Sequence, residues 1–313
     1  MPFKGRFTAS AVVLFERPVP LDAVAAALDD FDIVNRIDTA NNWAFGGPSV
    51  TLAFRPEVNG QVRVDTVAHP WPDHMGDPQK EPILMGAWTL GHFGPFAFPN
   101  GLQRASQQAW AWDDGKSIPE RHAAFVRVLA SYAFGLPENA PLIPEGYASI
   151  AELEFVTRVS QAVLKLPGAL AYFNPNGETL WPADMIGGAI ASADEQGVPP
   201  IDVWANVRLF NVENGWLVMD TVGNGQFGFP DFPDIEACVP RGADLRAVDA
   251  FLRNTTLYVL NAGDVIRDGD TIDGPGGSLW VCRPRKNGLV DPPRRVLRFF
   301  PADVVPPPEM LKE

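Results

Sequence analysis

Two Asn-Gly turns, each set between strand-like segments, constrain this chain more than any other feature. Residues 49–54 and 61–68 alternate at period two and are joined by Glu57-Val58-Asn59-Gly60. Residues 201–211 and 216–222 form a second such pair, closed by Glu213-Asn214-Gly215. Asn-Gly supplies the positive φ that a tight turn needs, and in the first pair the alternation turns one face of each strand to a core. Antiparallel sheet follows from both.

Helical spacing appears between the strands. Leu21, Val24, Ala25 and Leu28 predict a short helix over 21–29. Residues 102–112 read as another. Ser149 as N-cap with Glu152 three residues on, and Pro167-Gly168 beyond, predict a helix over 149–166. A further helix follows Trp181-Pro182 and runs through Ala193. Residues 244–261 place Leu245, Val248, Phe251, Leu252, Thr255, Tyr258 and Val259 on one side, and Gly263 ends that helix. Strands are predicted over 7–15, 33–37, 122–132, 169–173, 279–283 and 296–300. The fold class is therefore α+β, with antiparallel sheets and helices packed on one face. The opening β-α-β-β-β order resembles the start of a ferredoxin-like sandwich, and the second half loosely echoes it, so two ferredoxin-like halves are expected. Pro137, Pro141 and Pro144 mark the junction. The expected division is an N-terminal domain over 1–140, a C-terminal domain over 141–303, and a frayed tail over 304–313 that begins with Pro306-Pro307-Pro308.

At 313 residues the chain can bury a sizeable core, and 46% hydrophobic with 20% charged residues is ordinary globular usage. The net charge of −13 argues against nucleic acid, which needs clustered Lys and Arg, and favours a basic protein partner. One basic group stands out, Arg283, Arg285, Lys286, Arg294, Arg295 and Arg298 around Asp291-Pro292-Pro293, and reads as a solvated hairpin end. No apolar run reaches the ~18 residues of a membrane span, and the opening residues lack a signal-peptide pattern. Cys238 and Cys282 read as reduced thiols. A cytoplasmic location, with no membrane partner, is expected.

The C-terminal third has its own texture. It runs from Pro200 to Phe210 (PIDVWANVRLF), through WLVMDTV at 216–222 and Gly228-Phe229-Pro230-Asp231, to the long helix and Asp264 to Ile272 (DVIRDGDTI). This resembles the bacterial family catalogued as domain of unknown function 4261, over residues 150–300. The family's IKDGDT turn reads Ile266-Arg267-Asp268-Gly269-Asp270-Thr271 here. Residues 155–166 and 169–186 look like what precedes this domain in relatives. The resemblance implies no activity, cofactor or catalytic residue that can be carried over.

All four histidines, His69, His74, His92 and His122, lie in one stretch with Asp73 and Asp77. Their spacing is not that of a helical zinc motif, and interposed prolines oppose a helix, so no metal is assigned. Asp264, Asp268, Asp270 and Asp273 fail the calcium-loop pattern and read as a tight turn around Gly269. Residues 223–228 are rich in glycine but lead to no helix N-terminus, so no nucleotide or other cofactor is assigned. No GxSxG elbow occurs, and no catalytic residue is assigned.

Residues 69–101 break every periodic pattern and carry Pro, Gly and aromatic side chains. Long irregular segments in compact domains are often functional. Candidate partner-binding residues are Trp71, Asp73, His74, Trp88, His92, Phe93, Phe96 and Phe98. The competing reading folds the aromatics back into a small core beneath the loop. The expected function is a non-catalytic protein-binding protein of the bacterial cytoplasm. Its sharpest form is an immunity protein that neutralises a basic interbacterial toxin of the type VI secretion or polymorphic kind. The alternatives are a metal-assisted hydrolase using His69, His74 and His92, and an assembly or scaffold subunit.

Overall fold

The computed structural model describes residues 5–39, 45–137, 139–212, 215–228 and 231–311. Met1 to Lys4, Glu213-Asn214 of the second turn and Phe229-Pro230 lie outside the described residues. The chain divides into two compact units, Phe3–Trp204 and Ala205–Glu313.

The first unit contains, in order, β1 (Ala9–Phe15), α1 (Leu21–Ala27), β2 (Ile33–Ile37), β3 (Ser49–Ala53), β4 (Gln61–Val67), α2 (Pro82–Thr89) and α3 (Gly101–Gln107). It continues with α4 (Ile118–Arg121), β5 (Ala124–Ser131), α5 (Ser149–Leu164), β6 (Ala169–Asn174), β7 (Thr179–Trp181), α6 (Ala183–Gln196) and α7 (Ile201–Trp204). Its strands make a seven-stranded sheet in the order β2-β3-β4-β5-β1-β6-β7, antiparallel at every pairing. β1, predicted as a buried strand, is central and buried along its whole length. β2 is an edge strand, exposed along its whole length.

Register decides what covers each face. Val12 is paired with Arg127 and Phe173, and Leu14 with Phe125 and Ala171, so these six side chains share one face. Residues of the 69–101 stretch and of α3 pack there: Trp71, Leu84, Trp88, Phe93 and Leu102. The opposite face carries Val13, Val126 and Tyr172, and α5 lies against β1, β5 and β6. Helices thus cover both faces of this sheet, where one was expected. The reason is α2, formed within a stretch whose prolines and glycines hid it. Pro82 begins that helix at a position where no backbone donor is lost.

The boundary lies at 204/205, not near 140. β6 pairs with β1, and α5 packs on the same sheet, so everything through Trp204 belongs to the first core. The proline-rich stretch after β5 is a loop of that unit. Arg6 donates to the carbonyls of Ala133 (2.8 Å) and Leu136 (3.0 Å) to hold its start. The predicted strand over 201–211 is also divided: 201–204 is the short helix α7, and only the remainder is strand.

The second unit contains β8 (Asn206–Asn211), β9 (Trp216–Val222), β10 (Asp234–Pro240), α8 (Leu245–Ala262), β11 (Thr271–Asp273), β12 (Leu279–Arg285) and β13 (Val296–Pro301). The sheet order is β11-β12-β13-β10-β9-β8, with β10 and β13 parallel and the other pairs antiparallel. This order does not repeat that of the first unit, so the expected echo between halves stops at the sequence level. Asp244 caps α8, accepting from the Arg246 (3.0 Å) and Ala247 (3.3 Å) amides. Val248, Phe251, Leu252 and Val259 of α8 pack on Ile235, Ala237 and Val239 of β10. The tail is docked rather than frayed: Met310 is buried, and its carbonyl accepts from Arg298 at 2.9 Å.

Candidate functional site

The aromatic candidates divide by burial. Trp71, Trp88 and Phe93 are core residues, exposed by 3%, 2% and 0%. The Trp71 ring meets Trp88, Phe93, Phe125 and Phe173 edge-on at 5.2–6.0 Å between centroids. Their area removed from water outweighs any role as exposed anchors, and the small-core reading describes them. Phe96 and Phe98 are half-buried. Asp73 is half-buried and accepts from the Leu102 and Gln103 amides at 2.9 and 2.8 Å, which makes it a structural tie to α3. His74 is exposed, 3.9 Å from Glu81.

The histidines do not converge. His122 is buried; its Nε2 accepts from the Trp71 amide and its Nδ1 faces the Ile118 carbonyl, both at 2.9 Å. That pairing fixes a neutral ring with the proton on Nδ1, and burial pushes its pKa down. His92 is half-buried beside Phe7, and its pKa is pushed down by burial and by Arg127 and Arg63. His69 lies against Phe45. Among the described residues, no three His, Cys, Asp or Glu side chains gather to hold a metal. No helix among the described residues is long and apolar enough to cross a membrane.

Glu152 is a buried acid that sequence reading took for a cap. The N-cap of α5 is Ala148, and Glu152 is fully buried. Its carboxylate accepts from the Thr8 hydroxyl (2.7 Å) and the Tyr147 hydroxyl (2.9 Å). Burial pushes its pKa up to about 7, against the pull of those hydrogen bonds. The folded protein therefore holds a proton here that the unfolded chain releases near pH 4.5. Stability from this group is present below that pH and is lost as pH rises through about 7. The total is about 3 kcal/mol. Glu152→Gln carries no ionisable proton, so the variant is expected to gain on the parent by that order between pH 5 and pH 8. Urea unfolding of both proteins at the two pH values measures the difference, in which titration of His122 and Asp73 cancels. An unchanged difference would contradict a protonated Glu152.

The second unit buries a row of charges. Register sets Arg208 beside Asp220, Asp220 beside Glu236, and Glu236 beside Arg298, across β8, β9, β10 and β13. All four are 0–1% exposed. Arg208 holds Asp220 through two bonds of 3.0 and 2.8 Å. Arg294 bonds Asp220 as well and lies 3.2 Å from Asp234. Arg298 bonds Glu236. Three cations thus face three anions. Burial pushes the Asp234 and Glu236 carboxyls up, and Arg294 and Arg298 pull them back. The connection between β12 and β13 closes over the row: Arg208 donates to the Asp291 carbonyl, Arg298 to that of Asn287, and the Leu289 amide donates to Glu236. The basic group read as a solvated hairpin end therefore holds a cover in place through Arg294 and Arg298. The missed element was β10, whose Asp234 and Glu236 lie beneath them. The available signal was weak: Asp, Ile, Glu and Ala alternate over four residues, and Ala, Cys and Val then run on as an apolar stretch.

The acidic turn is as expected. Asp270 accepts from the Arg267 amide at 2.7 Å, Gly269 takes φ 86°, and Asp264 pairs with Arg295. Residues 224–226 form a single 3-10 turn, with the Asn224 amide bonded to Asp234.

An open groove of about 630 Å³ lies on the α8 side of this sheet. One wall is a stripe of α8, Ala247, Ala250, Phe251, Asn254 and Tyr258, at helical spacing. The other is Ile272 to Pro275, the end of β11 and its following turn. Gly274 sets that wall close: a Cβ there would stand 2.0 Å from the Trp280 ring, which itself packs on Phe251 at 5.0 Å. The volume falls within the roughly 300–1,000 Å³ of ligand sites. The side chains of Asn254 and Tyr258 make no hydrogen bond or ion pair among the described residues, whereas the Thr255 hydroxyl donates to the Phe251 carbonyl. Sequence reading placed Phe251, Thr255 and Tyr258 on the apolar side of α8 but gave no sign that part of it stands open.

No curated protein and no solved structure matches the chain. The groove, β10 and its acids, and Arg294 and Arg298 all lie in one family-matched stretch, while Arg208 and the segments from 150 onward that were read into the resemblance lie before it. Residues 220–300 match the model of the family described as Domain of unknown function (DUF4261), the family that the DVIRDGDTI turn and its neighbouring strands resemble.

Proposed function

We propose that the chain is a non-catalytic protein-binding protein of the bacterial cytoplasm, and in its sharpest form an immunity protein that neutralises an interbacterial toxin. The observation that carries the binding reading is the open groove beside α8, where Ala250 and Tyr258 stand exposed. The net charge of −13 supports a basic partner, because opposite charge speeds encounter and suppresses wrong partners. Within the family-matched stretch the buried acids Asp220, Asp234 and Glu236 are already paired with arginines, so they are not free to take a partner's charges.

The test is copurification of the tagged chain from cells that express it, with mass spectrometry of what elutes. The expected result is one basic protein at near-equal stoichiometry, lost when Ala250→Gln narrows the groove. Co-expression of that protein with the chain is expected to restore growth that the protein alone arrests. A chain that elutes alone and protects against nothing contradicts the proposal.

A further inference from the structure

β11 is the outermost strand of its sheet, and its hydrogen-bond phase can be read from its neighbours. The Cys282 amide bonds the Asp270 carbonyl at 2.8 Å, and the Gly274 amide bonds the Ser278 carbonyl at 2.9 Å. In an antiparallel ladder the bonded pairs recur every second residue, so the pair between these two is Ile272 with Trp280. The amides and carbonyls of Thr271 and Asp273 therefore point away from β12. Among the described residues, no strand lies on that side in the sheet order. Ile272 packs against the α8 core, so its side chain and the groove share a face, and the side chains of Thr271 and Asp273 project to the other.

We infer that the groove binds an extended polypeptide segment of a partner as an added strand on β11, with an apolar residue flanked by basic ones. The inference rests on the protein-binding reading above and specifies its mode. A residue placed opposite Ile272 points into the groove, over Ala247, Ala250 and Phe251, where an apolar side chain is buried. Residues placed opposite Thr271 and Asp273 point to the other face. Asp273 is exposed there and has no ion-pair partner among the described residues; of the exposed acids nearby in sequence, Asp268 lies 3.4 Å from Arg283 and Asp270 accepts from the Arg267 amide. Main-chain bonds to Thr271 and Asp273 supply affinity, and the alternation supplies choice of sequence. The three-residue length of β11 limits accidental pairing with other strands.

The probe is a fluorescein-labelled eight-residue peptide of alternating Lys and Val. One comparison peptide has the same composition with its lysines grouped at one end. Another is a twin N-methylated at alternate residues, which cannot donate to an edge strand. The full chain is expected to bind the alternating peptide at least tenfold more tightly than either. Hydrogen exchange at the Thr271 and Asp273 amides is expected to slow at least tenfold in that complex. Thr271→Pro removes an outward donor without touching the β12 ladder, and Ala250→Gln adds bulk without charge. Each is expected to weaken the alternating peptide at least tenfold. Equal binding of the N-methylated twin, or binding that both variants leave unchanged, overturns strand addition. A copurifying basic protein that remains bound to Thr271→Pro overturns it too, yet leaves the protein-binding reading standing. Loss of every copurifying protein from the unsubstituted chain removes that reading instead.

Discussion

Trp71→Ala is expected to destabilise the first unit by about 3–5 kcal/mol, the range for deleting a large buried aromatic. The side chain is 3% exposed and lies amid Trp88, Phe93, Phe125 and Phe173, two of which come from β5 and β6. Its removal leaves a cavity where the 69–101 stretch meets the sheet, and rigid rings on four sides cannot collapse to fill it. Against a typical total of about 5–15 kcal/mol, such a loss is large enough to shift the urea midpoint far below that of the parent. Trp71→Phe is expected to cost much less, because the Trp71 indole nitrogen has no hydrogen-bond partner among the described residues and its burial is itself unfavourable. Trp110, 65% exposed, provides the contrast: Trp110→Ala is expected to stay within about 0.5 kcal/mol. Urea unfolding followed by fluorescence compares all three. A Trp71→Ala variant within 1 kcal/mol of the parent, taking about 1 kcal/mol as an ordinary single-site effect, would contradict burial of this loop.

Asp220→Ala is expected to cost about 3–5 kcal/mol through a different cause. Asp220 is the anion shared by Arg208 and Arg294, and its deletion leaves Arg208, 0% exposed, beside Glu236 only by way of the vacated position. The penalty is that of an uncompensated buried charge, not the worth of one ion pair. Arg208→Met combined with Asp220→Leu removes both charges and fills the space. It is expected to recover most of the loss, because Arg294 keeps Asp234. A double-mutant cycle on the two positions measures this coupling. Additive costs would contradict the shared-anion arrangement.

The parts of the fold legible in the sequence are those set by local periodicity. β3 and β4 follow from alternation, β1 from a continuous apolar run, β9 from its Asn-Gly turn, α5 from Pro167-Gly168 beyond its end, and α8 from an apolar stripe with end signals. Asp244 before α8 is a capping residue by type and by geometry. Features set by distant contacts were not legible. Whether Trp71, Trp88 and Phe93 face solvent depends on pairing with β5 and β6, more than fifty residues from Trp71 for the nearer contact with Phe125. The unit boundary depends on β6 joining β1, which no composition shift announces. β10 was hidden because Asp234 and Glu236 look like surface residues until Arg294 and Arg298 are brought above them. The groove is legible only once β11 is known to be an edge strand facing α8 through Ile272.

Hydrogen exchange of the chain, free and in complex with its copurified partner, tests the account most directly. Protection is expected to rise along 247–258 and at Thr271 and Asp273, with 74–98 unchanged. Protection centred on 74–98, with no change at the Thr271 and Asp273 amides, would contradict it.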